Sequence, residues 1–493
     1  MSERNDAIHI NPSSSSKVLG IFSGMLLNVN LMIGSGIYAT PGQIMVLTQS
    51  GGMTLVLYIF GFFYVMLGNY VYFGSTISES GGEQTYLEKA FPNPKKMVAY
   101  IFSFSSVVLV KPISIISIST AGSQYIYYAI NNGYSKYAIE NMQNIEFWEI
   151  RFIAFGIISI VTIYHLFSNK VAVWINQILA VIKVSTLLAV VIIGLTKIKD
   201  HPERLSFNYL FSNAREIKYY NNYASSMLKV LFAFSGWNFL YYSLDEMRNP
   251  RRKLRISNPA SVLIVGILYC LAILALIITI PIDFMKYFDD PVIMSAKLGN
   301  EIGLEIAIAI LIAISCFGAV GSGIWCSSRL IASVAKAGFI PVFSPVLRKF
   351  DEKWNTPFNA LIFQWCYLTM ILCIPLNNVY DVLVNTAQNT NIIFYFMCAI
   401  GLLVLRKTEP ERRHPFRINI SWVYFFILFS LAIFVGAFFP SPDTKSRNFI
   451  ERYYYIITYT IILFGLSCWY LIYYLPRRNS ISTPPEMSNV VIG

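Results

Sequence analysis

The sequence predicts an all-α polytopic membrane protein with about twelve transmembrane helices. Three observations carry that prediction. Hydrophobic residues make up 55% of the chain and charged residues only 13%, against roughly a quarter charged in soluble domains. Apolar runs of bilayer-spanning length recur almost without pause from Leu19 to Leu475. The basic residues behind the net charge of +12 sit in short segments between those runs. That placement follows the positive-inside rule and does not point to a nucleic-acid surface.

A spanning helix needs ~20 mostly apolar residues. On that measure span 1 runs from Leu19 to Val46, span 2 from Met53 to Phe73 and span 3 from Met97 to Ile130, long enough to tilt. Span 4 covers Glu149 to Phe167, span 5 Val171 to Thr196, span 6 Tyr223 to Met247 and span 7 Ile256 to Ile282. Span 8 lies within Ile302 to Ala335, span 9 within Phe358 to Leu376 and span 10 within Tyr380 to Leu405. Spans 11 and 12 cover Ile420 to Phe439 and Tyr453 to Leu475.

The expected organisation is a disordered tail at 1–18, a ten-helix core at 19–405, a loop with helices 11 and 12 at 406–476, and a second tail at 477–493. The first tail is polar and serine-rich. The first apolar run is too long for a signal peptide and is read as a retained span.

Loop charge sets the orientation. Arg248, Arg251, Arg252, Lys253 and Arg255 follow span 6; Lys336, Arg348, Lys349 and Lys353 follow span 8. Arg406, Lys407, Arg412, Arg413 and Arg417 follow span 10, and Arg477 and Arg478 follow span 12. The loops after spans 1 and 9 carry no lysine or arginine. The loop after span 5, with Lys197, Lys199, Arg204, Arg215 and Lys218, is the exception. The balance puts both termini in the cytoplasm, as an even span number requires. The sequon Asn419-Ile420-Ser421 then lies on the cytoplasmic side.

All seven cysteines fall in apolar segments without metal-ligand spacing, so neither a disulfide framework nor a zinc site is expected. The four histidines are read as solvated or interfacial. No cofactor is implied.

The chemistry lies in two interruptions. Span 1 contains Gly34-Ser35-Gly36 at its middle, within LMIGSGIYATPG. Lipid offers no water to satisfy a broken backbone, so a break is tolerated only when buried in protein or lining a wet cavity. Free amides at the start of the second half-helix then form an anion site; the alternative is that small residues only admit a neighbouring helix. Span 6 carries a second small pair, Ser235-Gly236, before Trp237 and Asn238. If ten spans form two five-helix repeats, these breaks correspond. Paired breaks in two halves point to a transporter site at the bilayer midplane.

Charges inside the spans come next. Lys183 has apolar runs on both sides. Its ammonium stands in for a sodium ion, or takes and releases a proton, since burial readily shifts a lysine pKa. Lys229 begins span 6 and Glu246 ends it; snorkelling is the ordinary alternative for both, and it is the reading adopted for Lys229. Lys111, beside Pro112, either tethers span 3 to helix-end carbonyls or serves the site. Asn385, Gln388, Asn389 and Asn391 in span 10 either knit helices or line the path.

At these residues the chain resembles the amino acid–polyamine–organocation superfamily, in its L-type amino acid transporter and fungal methionine-permease branch. The matching pieces are IGSGIYATPG, SGGEQTYL, Lys111-Pro112, IKVSTLL, FAFSGWNFLYYSLDEMRNP, SCFGAVGSGIWCSSRL and RKTEPERRHPF, over about residues 17 to 440. The resemblance implies a 5+5 inverted-repeat core with broken helices 1 and 6, plus two further helices. It also implies that the amides of Ser35, Gly36 and Ile37, with Gly34, hold a substrate carboxylate. Carbonyls of Met32, Ile33, Phe232, Ala233 and Ser235 would hold the ammonium. Phe232 is similar to an aromatic lid, Asn238 to a polar brace of the break, and Lys183 to a lysine near a vacant sodium position; Trp237 joins the neighbours that select the side chain.

Two departures matter. The heteromeric relatives carry a linking cysteine between spans 3 and 4, and the stretch Asn131 to Phe147 has none, so no disulfide-linked heavy chain is expected. A glycine pair is common where this chain has Ser235-Gly236.

The expected function is secondary transport of neutral L-amino acids, methionine- or leucine-like. It is expected to be sodium-independent and proton-coupled or exchanging, in the plasma membrane. The alternatives are a non-transporting amino-acid sensor on the same fold, or a heteromeric-type exchanger light chain. An enzyme would need paired carboxylates, a nucleophile with its base, or metal ligands in the spans; a channel would show repeated filter residues. Neither pattern is present.

Overall fold

In the computed structural model the described residues are 19–73, 80–94, 96–131, 147–212, 214, 221–247, 249–282, 284, 298–299, 303–340, 342–374, 380–409, 418–439 and 453–476. Both predicted tails lie outside them, as do most of the stretch between spans 3 and 4 and the loop residues Arg215, Lys218, Arg248, Arg412, Arg413, Arg417, Arg477 and Arg478.

Every spanning element among the described residues is helical. Eight helices are long and apolar enough to cross a membrane, and these are spans 2, 3, 4, 5, 7, 8, 10 and 12. Span 1 is a ninth, made of Ile21–Met32 and Gly36–Thr48, bent by 40° at the glycines. Phe358–Leu372 and Ile420–Gly436, spans 9 and 11, are shorter apolar helices. Span 6 completes the set. It is an integral membrane protein, and its lipid-facing apolar side chains are in the open: Phe152, Leu428 and Leu463 are each more than half exposed.

Span 6 differs from a helix resumed after a break. Its first half, Asn221–Ala233, is α-helical, but its second half is only two short 3-10 turns, Phe239–Tyr242 and Leu244–Glu246. Gly236 sits at φ +100°, which a side chain rarely permits. Beyond it, other segments take the backbone groups. The Tyr241 carbonyl accepts from Gly82 at 3.0 Å, and the Glu246 carbonyl accepts from Leu19 at 3.0 Å. A polar backbone at membrane depth persists because it is satisfied from outside its own segment.

The two broken spans lie at the centre. The first half of span 1 packs against span 5 (Asn169–Thr196), span 7 (Pro250–Thr279) and span 8 (Glu305–Lys336). Its second half packs against the first half of span 6. Spans 3 and 8 meet closely: a Cβ on Gly122 would lie 2.8 Å from that of Cys316. Span 11 covers spans 2, 6 and 10, and span 12 (Tyr454–Cys468) lies on spans 3 and 10.

Candidate functional site

The span 1 break arises from which amides find carbonyls. The Ile33 amide bonds Val29 at 2.9 Å and ends the first half-helix; that of Gly34 turns back to Met32 at 2.9 Å. The ladder resumes only when Tyr38 and Ala39 donate to Ser35, at 3.1 and 2.8 Å. No described backbone carbonyl accepts from the amides of Ser35, Gly36 or Ile37. Three donors thus stand at the positive end of a helix dipole, where a carboxylate is stabilised. The buried Ser35 hydroxyl also lacks a partner among the described residues.

The same break frees carbonyls at the end of the first half-helix. Gly34 would ordinarily bond Asn30; with Gly34 turned away, the Asn30 carbonyl takes the ammonium of Lys183 at 2.6 Å. Lys183 is fully buried, and its stem runs against Gly318, where a Cβ would sit 2.9 Å from Cε. A cation at a helix C-terminus is favoured by the dipole. The Met32 carbonyl lies 2.6 Å from the hydroxyl of Tyr269, which also lies 3.0 Å from the Ala233 carbonyl. One side chain from span 7 thus touches the ends of both first half-helices.

The two breaks face one another. A Cβ on Gly36 would stand 2.6 Å from the Ala233 Cα, and one on Gly236 2.4 Å from Leu31 Cγ. A cavity opens beside them. Of the residues expected at the site, Met32, Gly34, Ser35, Gly36, Phe232, Ser235 and Asn238 line it. Ile33, Ile37, Ala233 and Trp237 do not. Ile33 and Ile37 are packed in the core, and Ala233 fills the contact with Gly36. The Trp237 ring stacks edge-on to Tyr72 and Tyr395, at 4.8 and 5.5 Å between centroids. The Ser235 hydroxyl is engaged, accepting from Gln388 of span 10 at 2.5 Å.

Two expectations, for Lys229 and His165, are corrected. Lys229 does not snorkel: it is fully buried and donates to Gln43 of span 1 at 2.9 Å. Glu246 pairs with Arg329 of span 8 at 2.6 Å. His165 is buried, with Nδ1 2.8 Å from the Val161 carbonyl, because it faces span 5 rather than lipid headgroups. Lys111 lines the cavity with its ammonium 4.7 Å from the centroid of the Tyr242 ring.

Glu83 is the residue that sequence reasoning misses. It stands in the SGGEQTYL stretch, is buried, and accepts from Tyr72 at 3.3 Å and from Asn238 and Tyr242 by closer contacts. A buried carboxylate with three donors ties the tail of span 6 to the short helix Glu83–Ala90. Its one signal is an acidic residue directly after the glycine pair Gly81-Gly82.

A sequence model of the amino acid permease family matches residues 19–464. The chain belongs to the amino acid permease family. This permease is 25% identical over 484 residues to the high-affinity methionine permease of Saccharomyces cerevisiae, covering 94% of this chain and 80% of that protein. It is 26% identical over 479 residues to the b(0,+)-type amino acid transporter 1 of Mus musculus, covering 94% and 89%. To the large neutral amino acids transporter small subunit 2 of Homo sapiens it is 26% identical over 430 residues, covering 86% and 76%. It is an amino acid transporter embedded in a membrane, and not an enzyme.

Proposed function

We propose that this permease carries neutral L-amino acids, methionine- or leucine-like, by alternating access and without sodium. The observation that carries the reading is that no described backbone carbonyl accepts from the amides of Ser35, Gly36 or Ile37, with Ser35 and Gly36 lining the cavity beside the span 6 break. These amides suit the substrate carboxylate. The carbonyls of Met32, Ile33, Phe232, Ala233 and Ser235 receive the ammonium, Met32 and Ala233 sharing theirs with Tyr269. Phe232 closes the site on its outer side and Asn238 braces the break. The names of the methionine permease and the large neutral amino acid transporter support the substrate class.

On this reading residues 19–405 form the ten-helix core and 406–476 add two helices. Both termini face the cytoplasm of a plasma-membrane protein, and no heavy chain is linked by disulfide. The test is uptake of labelled methionine and leucine into proteoliposomes, empty or preloaded, with and without a proton gradient. Saturable uptake is expected. A requirement for internal substrate marks an exchanger, and dependence on the gradient marks a symporter. Absence of saturable uptake for every amino acid tried overturns the reading, and binding without flux favours the sensor.

Lys183 makes sodium redundant in this reading, its ammonium already sitting on the Asn30 carbonyl at 2.6 Å. Replacing sodium by choline should leave uptake within about twofold, and Lys183→Ala should lower it at least tenfold by orphaning that buried carbonyl. Stimulation of the unmodified permease by sodium would remove this role.

A further inference from the structure

Span 3 is not a uniform helix where it meets the cavity. Residues Ser106–Val110 form a π turn, and the Lys111 amide reaches back five residues to the Ser106 carbonyl. The cause stands one residue further on. Pro112 has no N–H for the carbonyl four residues back, that of Val108, and its ring crowds that carbonyl. Val108 instead accepts from the hydroxyl of Tyr367, on span 9, at 2.9 Å. A carbonyl lost to the helix ladder at membrane depth needs such a partner.

The turn changes which way span 3 faces. Phe102, Ser106, Val110 and Ser114 all line the cavity, each four residues after the last. In an unbroken α-helix a four-residue step advances about 40°, so Phe102 and Ser114 would lie about 120° apart. The wider π turn advances roughly 80° per residue rather than about 100°, and takes back about 90° over its five residues. The four side chains then fall on one narrow face. π turns of this kind recur at functional sites.

We propose that Pro112 and Tyr367 are positioning residues for side-chain selection. The proline opens the turn, the tyrosine holds it open, and the turn aims Phe102, Ser106, Val110 and Ser114 at the substrate side chain. This rests on the reading of the cavity as the amino-acid site. Tyr367 does not line the cavity; it reaches span 3 through the Val108 carbonyl.

The experiment compares the unmodified permease, Tyr367→Phe, Pro112→Ala and the double variant for uptake of methionine, leucine, phenylalanine and alanine, with KM and kcat taken separately. Pro112→Ala supplies the missing N–H, so the Val108 carbonyl regains a helix partner and the turn tightens. The ratio of kcat/KM between methionine and alanine should change at least tenfold, through KM, with kcat within about threefold. Tyr367→Phe should move the ratio the same way by about threefold or more, and should add nothing in the Pro112→Ala background, where its carbonyl is already bonded. If the unmodified permease shows no saturable uptake, the functional reading fails before this one is reached. With that uptake intact, unchanged ratios in both single variants overturn the inference. So does a Tyr367→Phe effect that persists in full in the double variant. If Pro112→Ala fails to fold, Tyr367→Phe decides alone, and an unchanged ratio overturns the proposal.

Discussion

Gly36→Val should abolish uptake, and Gly36→Ala should lower it at least tenfold. The reason is the distance from this position to the facing span. A Cβ here would stand 2.6 Å from the Ala233 Cα and 3.2 Å from its amide nitrogen. Those are backbone atoms, so no rotamer change relieves the clash, and the two broken helices must separate. Overpacking of this kind costs about 1–3 kcal/mol, which a protein of this size can absorb while remaining folded. The amides of Ser35, Gly36 and Ile37 would not absorb it, because their aim depends on where the second half-helix starts. Gly156→Ala is the control: nothing lies within 4 Å of a Cβ there, and uptake should stay within about twofold. Size-exclusion profiles and initial rates for the three variants check this. Full activity in Gly36→Val would show that the spans do not meet here during transport.

The break was legible only as one of a pair. Gly-Ser-Gly inside an apolar run does not by itself interrupt a helix: Gly321-Ser322-Gly323 lies within the continuous helix Glu305–Lys336. The second small pair five spans later, at the matching position, is what marks the triplet of span 1. The twelve spans were legible because length and apolarity are properties of each segment alone. Partner choice is not local. Lys229 and Glu246 stand at the ends of span 6, where a long side chain ordinarily reaches the interface. Both are turned inward by residues far off in the chain, Gln43 and Arg329. Glu83 draws its donors from Tyr72, Asn238 and Tyr242, and no spacing in the sequence announces that they meet. Asn28 is a further case: its amide lies 2.6 Å from Asn258 and 2.7 Å from Ser261, and Asn258 in turn lies 2.6 Å from Asn69. Each asparagine taken alone is an unremarkable polar residue in an apolar run. Together they pin spans 1, 2 and 7 around the tail of span 6, which helps explain how that tail forgoes an α-helical ladder.

The second large effect is expected at Glu246. Its carboxylate accepts from Arg329 Nε at 2.6 Å and from Asn169 Nδ2 at 2.9 Å, and Arg329 Nη2 donates to Asn169 at 3.0 Å. The guanidinium lies 3.4 Å from the centroid of the Trp325 ring. The pair is 5% and 13% exposed, so water contributes little. Through the Glu246 carbonyl, which Leu19 meets at 3.0 Å, the cluster joins the start of span 1 to spans 5, 6 and 8. In the proposed orientation this is the cytoplasmic end, and it must part whenever substrate leaves on that side. Glu246→Ala strands a buried guanidinium, a change worth about 3–5 kcal/mol. The loss falls on the conformation in which the cluster is closed, so the balance should move about a hundredfold or more toward states open at this end. A cysteine placed at Leu19 should be labelled faster by a membrane-impermeant thiol reagent in Glu246→Ala, and the melting temperature should fall. Glu246→Leu with Arg329→Met removes both charges together and should recover much of the melting temperature, since an apolar pair of similar volume replaces a buried ion pair with little loss. Labelling should slow again in that double variant, because the apolar pair restores the closed conformation that the stranded guanidinium had destabilised. Unchanged labelling and melting in Glu246→Ala would mean that the cluster is not what closes it.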